Sequence, residues 1–308
     1  MDALQEITAW IDDRLADAGS HRRGPVREVR RWVRALVLTL ETDRGRWWVK
    51  VVPDLFSHEV AVTELLADVD PGIVPPVVAA DRALGRIITE HVEGPALGTI
   101  DDAPTWEAAL SRLAEIQRVL AADPLALRVA GVAASPLDEL AASLPELLAD
   151  DRALLVGAPG GLSALEAATI RERLPELVDA CHALGATGIP DSLDHGDIAP
   201  DEVIVGAMGP VFLDWSDGSI THPFLSAAAL LAHGGAVPGD ADFEAAYLGP
   251  WLASGAVGEA AGRAALDLAR VVQPLHRAQI AHRVLAVLPG DHDLARTVPK
   301  ALRAILPG

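Results

Sequence analysis

The hydrophobic period changes along the first third of the chain, and this narrows the fold more than any other feature. Three runs, Val26–Trp32, Arg34–Glu41 and Arg46–Val52, alternate and are rich in β-branched residues, which predicts strands. Thr42-Asp43-Arg44-Gly45 supplies a turn between the last two. Before them, Asp2–Ala18 carries apolar residues at helical spacing until Gly19. After them, Asp54–Asp68 returns to the helical period, and Val77–Ala80 and Arg86–Glu90 predict two more strands around a turn at Asp81–Gly85. The order β-β-β-α-β-β predicts a small antiparallel sheet with one helix. Val92-Glu93-Gly94-Pro95 reads as a linker. From Asp102 the period is helical, over 102–122, 136–149, 162–184, 223–235, 240–254, 258–285 and 291–306. Ile189–Trp215 is the exception, with short strands expected at Val203–Val205 and Val211–Leu213. The expected organisation is therefore α+β in two parts, residues 1–92 and 93–308.

One residue stands out against this pattern. Lys50 lies inside the apolar run Trp47-Trp48-Val49-Lys50-Val51-Val52, and it is one of only two lysines among 25 Lys+Arg. An ammonium on a flexible stem is a point charge that can reach a phosphate oxygen. The same residue can also be a strand-edge lysine that snorkels to water. Trp47 and Trp48 must face opposite sides of that strand, one toward a core and the other toward a cleft.

Composition excludes several function classes. Asp+Glu number 44, for a formal net charge of −19, which argues against nucleic acid and against an anionic membrane surface. The balance is compatible with a cationic small substrate. The single cysteine, Cys181, excludes an intrachain disulfide and a multi-cysteine metal site, and is expected as a free core thiol. No charged start followed by an apolar run marks a signal peptide. The most apolar stretch, near Ser226–Val237, is too short to span a bilayer. A cytoplasmic protein is expected.

Four pieces follow one another in an informative order: Lys50; Glu59 in the next helix; Asp194-His195-Gly196-Asp197; and Asp214-Trp215-Ser216-Asp217. Glu59 can pair with the ammonium, as can Glu64. Phosphoryl transfer to an alcohol needs a cation on the donor phosphates, a carboxylate to orient the hydroxyl, and a second carboxylate for Mg²⁺. Mg²⁺ prefers oxygen and takes few protein ligands. Asp197 and Asp214 are the two candidate carboxylates.

With these residues in place, the chain resembles the aminoglycoside phosphotransferase-like branch of the protein-kinase-like fold, over nearly its whole length. Leu193–Asp197 and Leu213–Phe224 look like that family's catalytic loop and metal-binding segment, and Val49-Lys50 and Phe56–Glu59 like its lysine strand and glutamate helix. Ile88–Gly94 looks like the interlobe hinge, whose backbone at Glu90, His91 and Val92 would hydrogen-bond adenine. The resemblance implies a bilobal fold, with a nucleotide-binding antiparallel-sheet N-lobe and a larger, mainly helical C-lobe. It implies ATP and Mg²⁺, with Lys50 on the phosphates, Asp214 on the metal and Asp197 as catalytic base. The implied reaction passes the γ-phosphoryl group to a hydroxyl of a small molecule such as an amino sugar, a sugar or an aminoglycoside.

The chain departs from the family at two positions. The asparagine expected five residues after Asp197, a metal ligand, is Glu202, and the chain contains no asparagine at all. The metal role either passes to Glu202 or is lost; in the second case the chain is a nucleotide-binding relative with a regulatory role. Ala199 stands where a histidine is frequent. Other motifs are absent. Neither lysine follows a Walker A run, Gly157–Gly161 lacks a strand-then-helix context, and no G-x-S-x-G or H-E-x-x-H occurs. His276 and His282 fit a late helix as packing or surface groups.

Overall fold

The computed structural model describes residues 3–234, 242–289 and 292–306. In chain order its elements are α1 (Ala3–Asp17), β1 (Arg27–Trp32), β2 (Ala35–Thr42), β3 (Gly45–Val51), α2 (His58–Val69), β4 (Val77–Asp81) and β5 (Arg86–Glu90). Then come α3 (Ala103–Ala121), α4 (Pro124–Val129), α5 (Leu137–Ala149), α6 (Ala164–Glu172), α7 (Leu174–Gly185) and β6 (Ser192–Asp194). The chain continues with β7 (Val203–Gly206), β8 (Gly209–Phe212), β9 (Ser219–Thr221), α8 (Phe224–Gly234), α9 (Phe243–Ala253), α10 (Glu259–Val287) and α11 (His292–Arg303). Two compact units result. The first holds the chain up to Ile100 with Ala126–Val132 and Asp201–Ser216; the second holds Asp101–Leu125, Ala133–Pro200 and the chain from Asp217 on.

The first unit is built on one antiparallel sheet, in the order β1-β2-β3-β5-β4. The period of two in its sequence fixes what each face does. Leu36, Leu38 and Leu40 of β2, Trp47 and Val49 of β3 and Ile88 of β5 form a buried cluster with Ile7, Ile11 and Leu15 of α1. Those three α1 residues recur at i, i+4 and i+8, one stripe of a helix. Residues of opposite parity, Val37, Trp48, Lys50, Ile87 and Thr89, fall on the other face, because Lys50 pairs with Val37 and Ile87, and Trp48 with Thr89. A slip of one residue would put Lys50 into the leucine core, so the apolar face fixes where the ammonium points. The expected helix Asp54–Asp68 begins later, as a 3-10 turn at Asp54–Phe56 followed by α2. The hairpin β7–β8 completes the unit, with Val205 N–H donating to Pro95 O at 2.9 Å.

The second unit is mainly helical. Asp102 caps α3 by accepting from Thr105 N–H at 3.0 Å. The helix expected over 162–184 is two helices, α6 and α7, separated at Arg173. Pro175, in the first turn of α7, has no N–H to continue a helix through that point. Two short strands, β6 and β9, pair in a register of three residues, Ser192 with Thr221 through Asp194 with Ser219. Cys181 is a buried free thiol, pushed by burial up to about 12. No helix among the described residues is long and apolar enough to cross a membrane. Of the apolar stretch Ser226–Val237, residues up to 234 lie in α8 and 235–237 lie outside the described residues.

Candidate active site

The lysine-bearing face of the first unit's sheet forms one wall of a cavity of about 410 Å³. That is the size of a small-ligand pocket. Trp48 and Lys50 of β3, Thr89 of β5 and Glu59 of α2 all line it. Trp47, on the opposite face, is 2% exposed in the core.

Lys50 does not snorkel to water. Its Nζ donates to Glu59 Oε1 at 2.6 Å and to Asp214 Oδ1 at 2.7 Å. Burial opposes its charge, but the carboxylates of Glu59 and Asp214 outweigh burial and raise the ammonium above its ordinary value. Glu64 takes another partner, Arg82, whose Nε lies 2.7 Å from Glu64 Oε2. Glu59 is 4% exposed, held one turn from Thr63, whose hydroxyl donates to Glu59 O at 2.8 Å. Asp214 sits at a φ of 58°, in the left-handed region, and Ser216 Oγ donates to its Oδ1 at 2.7 Å. Asp214 lies two residues past β8, and aspartate is among the few non-glycine residues that visit this region.

Glu90, His91 and Val92 line the same cavity. Glu90 N–H donates to Pro76 O at 2.9 Å, and His91 N–H to Arg46 O at 3.0 Å. Pro76 has no N–H to return the bond, so the β4–β5 ladder stops there and offers the Glu90 carbonyl no donor from residue 76. Trp48 Nε1–H donates to His91 Nδ1 at 3.0 Å, which assigns the His91 proton to Nε2. Glu202 lines the same cavity as Asp214. Two carboxylates form an all-oxygen donor set that suits a hard divalent cation with few protein ligands. Among the described residues no group of three or more His, Cys, Asp or Glu could hold a metal by itself.

The catalytic-loop candidate lies in the second unit. Asp194 ends β6, His195 and Gly196 follow, and Asp197 comes next. Ser226 Oγ donates to Asp194 Oδ1 at 2.5 Å and accepts from His195 N–H at 2.8 Å. Burial pushes the Asp194 carboxyl up to about 7, against the hydrogen bond from Ser226. His276 Nδ1 lies 3.5 Å from Asp194 Oδ2, and burial pushes that imidazole down to about 3. Gln117 of α3, wholly buried, donates to Leu193 O and Pro223 O, both at 3.0 Å. It ties the strand before the loop to the start of α8. Arg277, beside His276 on α10, reaches Asp197 Oδ2 at 2.5 Å and Asp217 Oδ2 at 3.0 Å.

Within the first unit, then, Lys50, Glu59 and Asp214 are brought into direct contact, with Glu90, His91, Val92 and Glu202 around the same cavity; Asp197 stands in the second unit on its own set of partners. Ser226, Gln117 and Arg277 belong to no motif of the sequence. Each meets the loop from a helix far away in sequence, and nothing local marks it.

No protein-family model matches the chain, and no curated protein sequence matches it. Solved structures do match. Against the GDP complex of wild-type aminoglycoside 2'-phosphotransferase-IIIa the TM-score is 0.67 at 18% identity, over 99% of this chain and 97% of that one. Against macrolide 2'-phosphotransferase type I it is 0.64 at 14% identity, over 98% and 97%. Against a choline kinase from Streptococcus pneumoniae it is 0.62 at 14% identity, over 97% and 99%. The chain thus has the protein-kinase-like α+β fold of the aminoglycoside and macrolide phosphotransferases and of choline kinase. At these identities the fold is what is shared.

Proposed function

We propose that the protein is a small-molecule O-phosphotransferase, moving the γ-phosphoryl group of ATP to a hydroxyl of a small acceptor. The observation that carries this reading is Lys50 Nζ, held 2.6 Å from Glu59 and 2.7 Å from Asp214 in the wall of a cavity rimmed by Glu90, His91 and Val92. A structural lysine needs one partner. Two carboxylates around one ammonium pre-orient it for a polyanion that arrives with its own counter-cation. In this reading the Glu90 carbonyl and Val92 N–H bind the adenine edge, and Lys50 contacts the donor phosphates. Asp214 and Glu202 would hold Mg²⁺, which would offset the charge on the phosphoryl oxygens. Asp197 accepts the acceptor's hydroxyl proton as the new P–O bond forms and the bond to the ADP oxygen breaks. The net charge of −19 favours a cationic acceptor such as an amino sugar or aminoglycoside, and the site of action is cytoplasmic. Two of the neighbours of the same fold are named for aminoglycoside and choline acceptors, and the first is a complex with GDP.

Glu202 favours a second reading, a nucleotide-binding regulator without transfer, because the resemblance expects an asparagine there. The test is calorimetric titration of ATP and of GTP, with and without Mg²⁺, on the natural protein and on Asp214→Ala. A phosphate-transfer assay with kanamycin, glucosamine and choline follows. Mg²⁺-dependent binding that Asp214→Ala loses, followed by transfer to one acceptor, is the expected result. Binding without any transfer selects the regulator, and no binding at all defeats both readings.

A further inference from the structure

We propose that Arg277 is a positioning residue for Asp197: its guanidinium fixes the carboxylate that receives the acceptor's proton by anchoring it to the buried Asp217. The inference rests on the transferase reading above.

Arg277 is 8% exposed on α10, and a buried guanidinium must be paired. Its two terminal nitrogens go to different carboxylates, Nη1 to Asp217 at 3.0 Å and Nη2 to Asp197 at 2.5 Å. The two arms differ in kind. The Asp217 side chain is 2% exposed, and its charge alone could compensate the buried cation; the Asp197 side chain is 50% exposed. An ion pair with a half-exposed carboxylate adds little to fold stability. A planar fork with fixed spacing between its N–H groups does, however, hold two carboxylates at one separation, which a lysine's single ammonium does not. The partner loop is equally constrained. Gly196, at a φ of +80°, places its α-carbon so close to Asp217 that an added Cβ would stand 2.2 Å from the Asp217 carbonyl oxygen. The residue before Asp197 is therefore packed on the backbone of the residue that anchors the clamp. At the other end of the same loop, the neighbouring α10 residue His276 meets Asp194 at 3.5 Å. Consecutive residues of one helix thus hold both acids of Asp194-His195-Gly196-Asp197.

The test compares Arg277→Met, Arg277→Lys and Asp197→Asn with the natural protein, using ATP and whichever of kanamycin, glucosamine or choline is phosphorylated. Displacing a reacting carboxylate by about 1 Å costs about 100-fold in rate. Arg277→Met is therefore expected to lose about 100-fold in kcat while its KM for ATP moves less than about threefold. Arg277→Lys, which keeps the charge and loses the fork, is expected to recover part of that loss, and added guanidinium ion to restore activity to Arg277→Met. If Arg277→Met does not fold, Arg277→Lys decides: natural kcat in that variant overturns the clamp. So does natural kcat in a folded Arg277→Met, or a loss matched by an equal rise in KM for ATP. When Asp197→Asn is inactive but Arg277→Met is not, the clamp alone has failed. When the natural protein phosphorylates nothing, the transferase reading has failed and takes the clamp with it.

Discussion

Lys50 Nζ and Glu59 Oε1 stand 2.6 Å apart, the lysine 18% and the glutamate 6% exposed at the side chain. Burial makes the lysine a large part of what compensates the Glu59 charge, while Lys50 itself has a second carboxylate, Asp214, at 2.7 Å. Lys50→Met leaves Glu59 as a carboxylate with little access to water, and breaking such a pair costs about 3–5 kcal/mol. Lys50→Met with Glu59→Gln removes both charges and should recover part of that loss, with a coupling of about 1–3 kcal/mol. Urea unfolding of the four proteins in the cycle measures it. Additive losses would mean that the contact contributes nothing beyond its parts.

Gly196 and Gly188 provide a controlled comparison in the second unit. Both have left-handed φ, +80° and +77°, but an added Cβ meets Asp217 O at 2.2 Å at Gly196 and nothing within 4 Å at Gly188. Gly188→Ala should cost only the backbone penalty, about 1–2 kcal/mol. Gly196→Ala should cost more, because a backbone oxygen cannot rotate away, and phosphoryl transfer should fall with it. Equal losses in thermal unfolding would show that the loop has room to move.

Sheet, helix and lysine were legible in the sequence for one shared reason: each is written in a local period. Alternation from Val26 to Val52 put Trp47 and Trp48 on opposite faces, and the structure buries Trp47 in the core and sets Trp48 in the cavity wall. Glu59 was one of two candidates, and Glu64 lost because Arg82 takes it. Strands of three residues, β6 and β9, carry too little period to detect, and α4, at six residues, is scarcely better. The split between α6 and α7 was written in Pro175, though the apolar spacing runs through it. The partners of the Asp194–Asp197 loop were beyond reach. Arg277 lies 80 residues from Asp197, and its buried position in a helix full of arginines and leucines follows only from tertiary packing.

Glu202 lines the same cavity as Asp214, so its charge bears on any cation bound there. Glu202→Gln keeps the length and the oxygen but removes the charge. It should raise the Mg²⁺ concentration needed for half-maximal ATP affinity by about tenfold, the order that loss of a supporting group costs a metal site. Titrating Mg²⁺ at fixed ATP in the calorimeter reads this directly. An unchanged Mg²⁺ dependence would mean that Glu202 is no part of the proposed metal site.

Stability should depend on pH through three buried groups of the second unit, with opposite signs. Burial pushes His222 and His276 down to about 3, so near pH 5 their protons bind the unfolded chain and not the folded one. Each contributes stability that is present above its ordinary value of 6.5 and lost as pH falls toward 3. Burial pushes Asp194 up to about 7, so near pH 5 its proton binds the folded chain and not the unfolded one. Its contribution is present below its ordinary value of 3.8 and lost as pH rises through about 7. One proton of difference corresponds to a slope of about 1.4 kcal/mol per pH unit. His222→Gln should therefore flatten the rise of unfolding free energy with pH by about that slope near pH 5. Asp194→Asn removes the opposing proton and should steepen the rise by a similar amount. Urea unfolding at half-unit steps from pH 4.5 to 6 separates the cases. Parallel curves for the natural protein and Asp194→Asn would mean that the carboxyl is already ionised in the folded state near pH 5 and that its removal leaves the protonation of His276 unchanged.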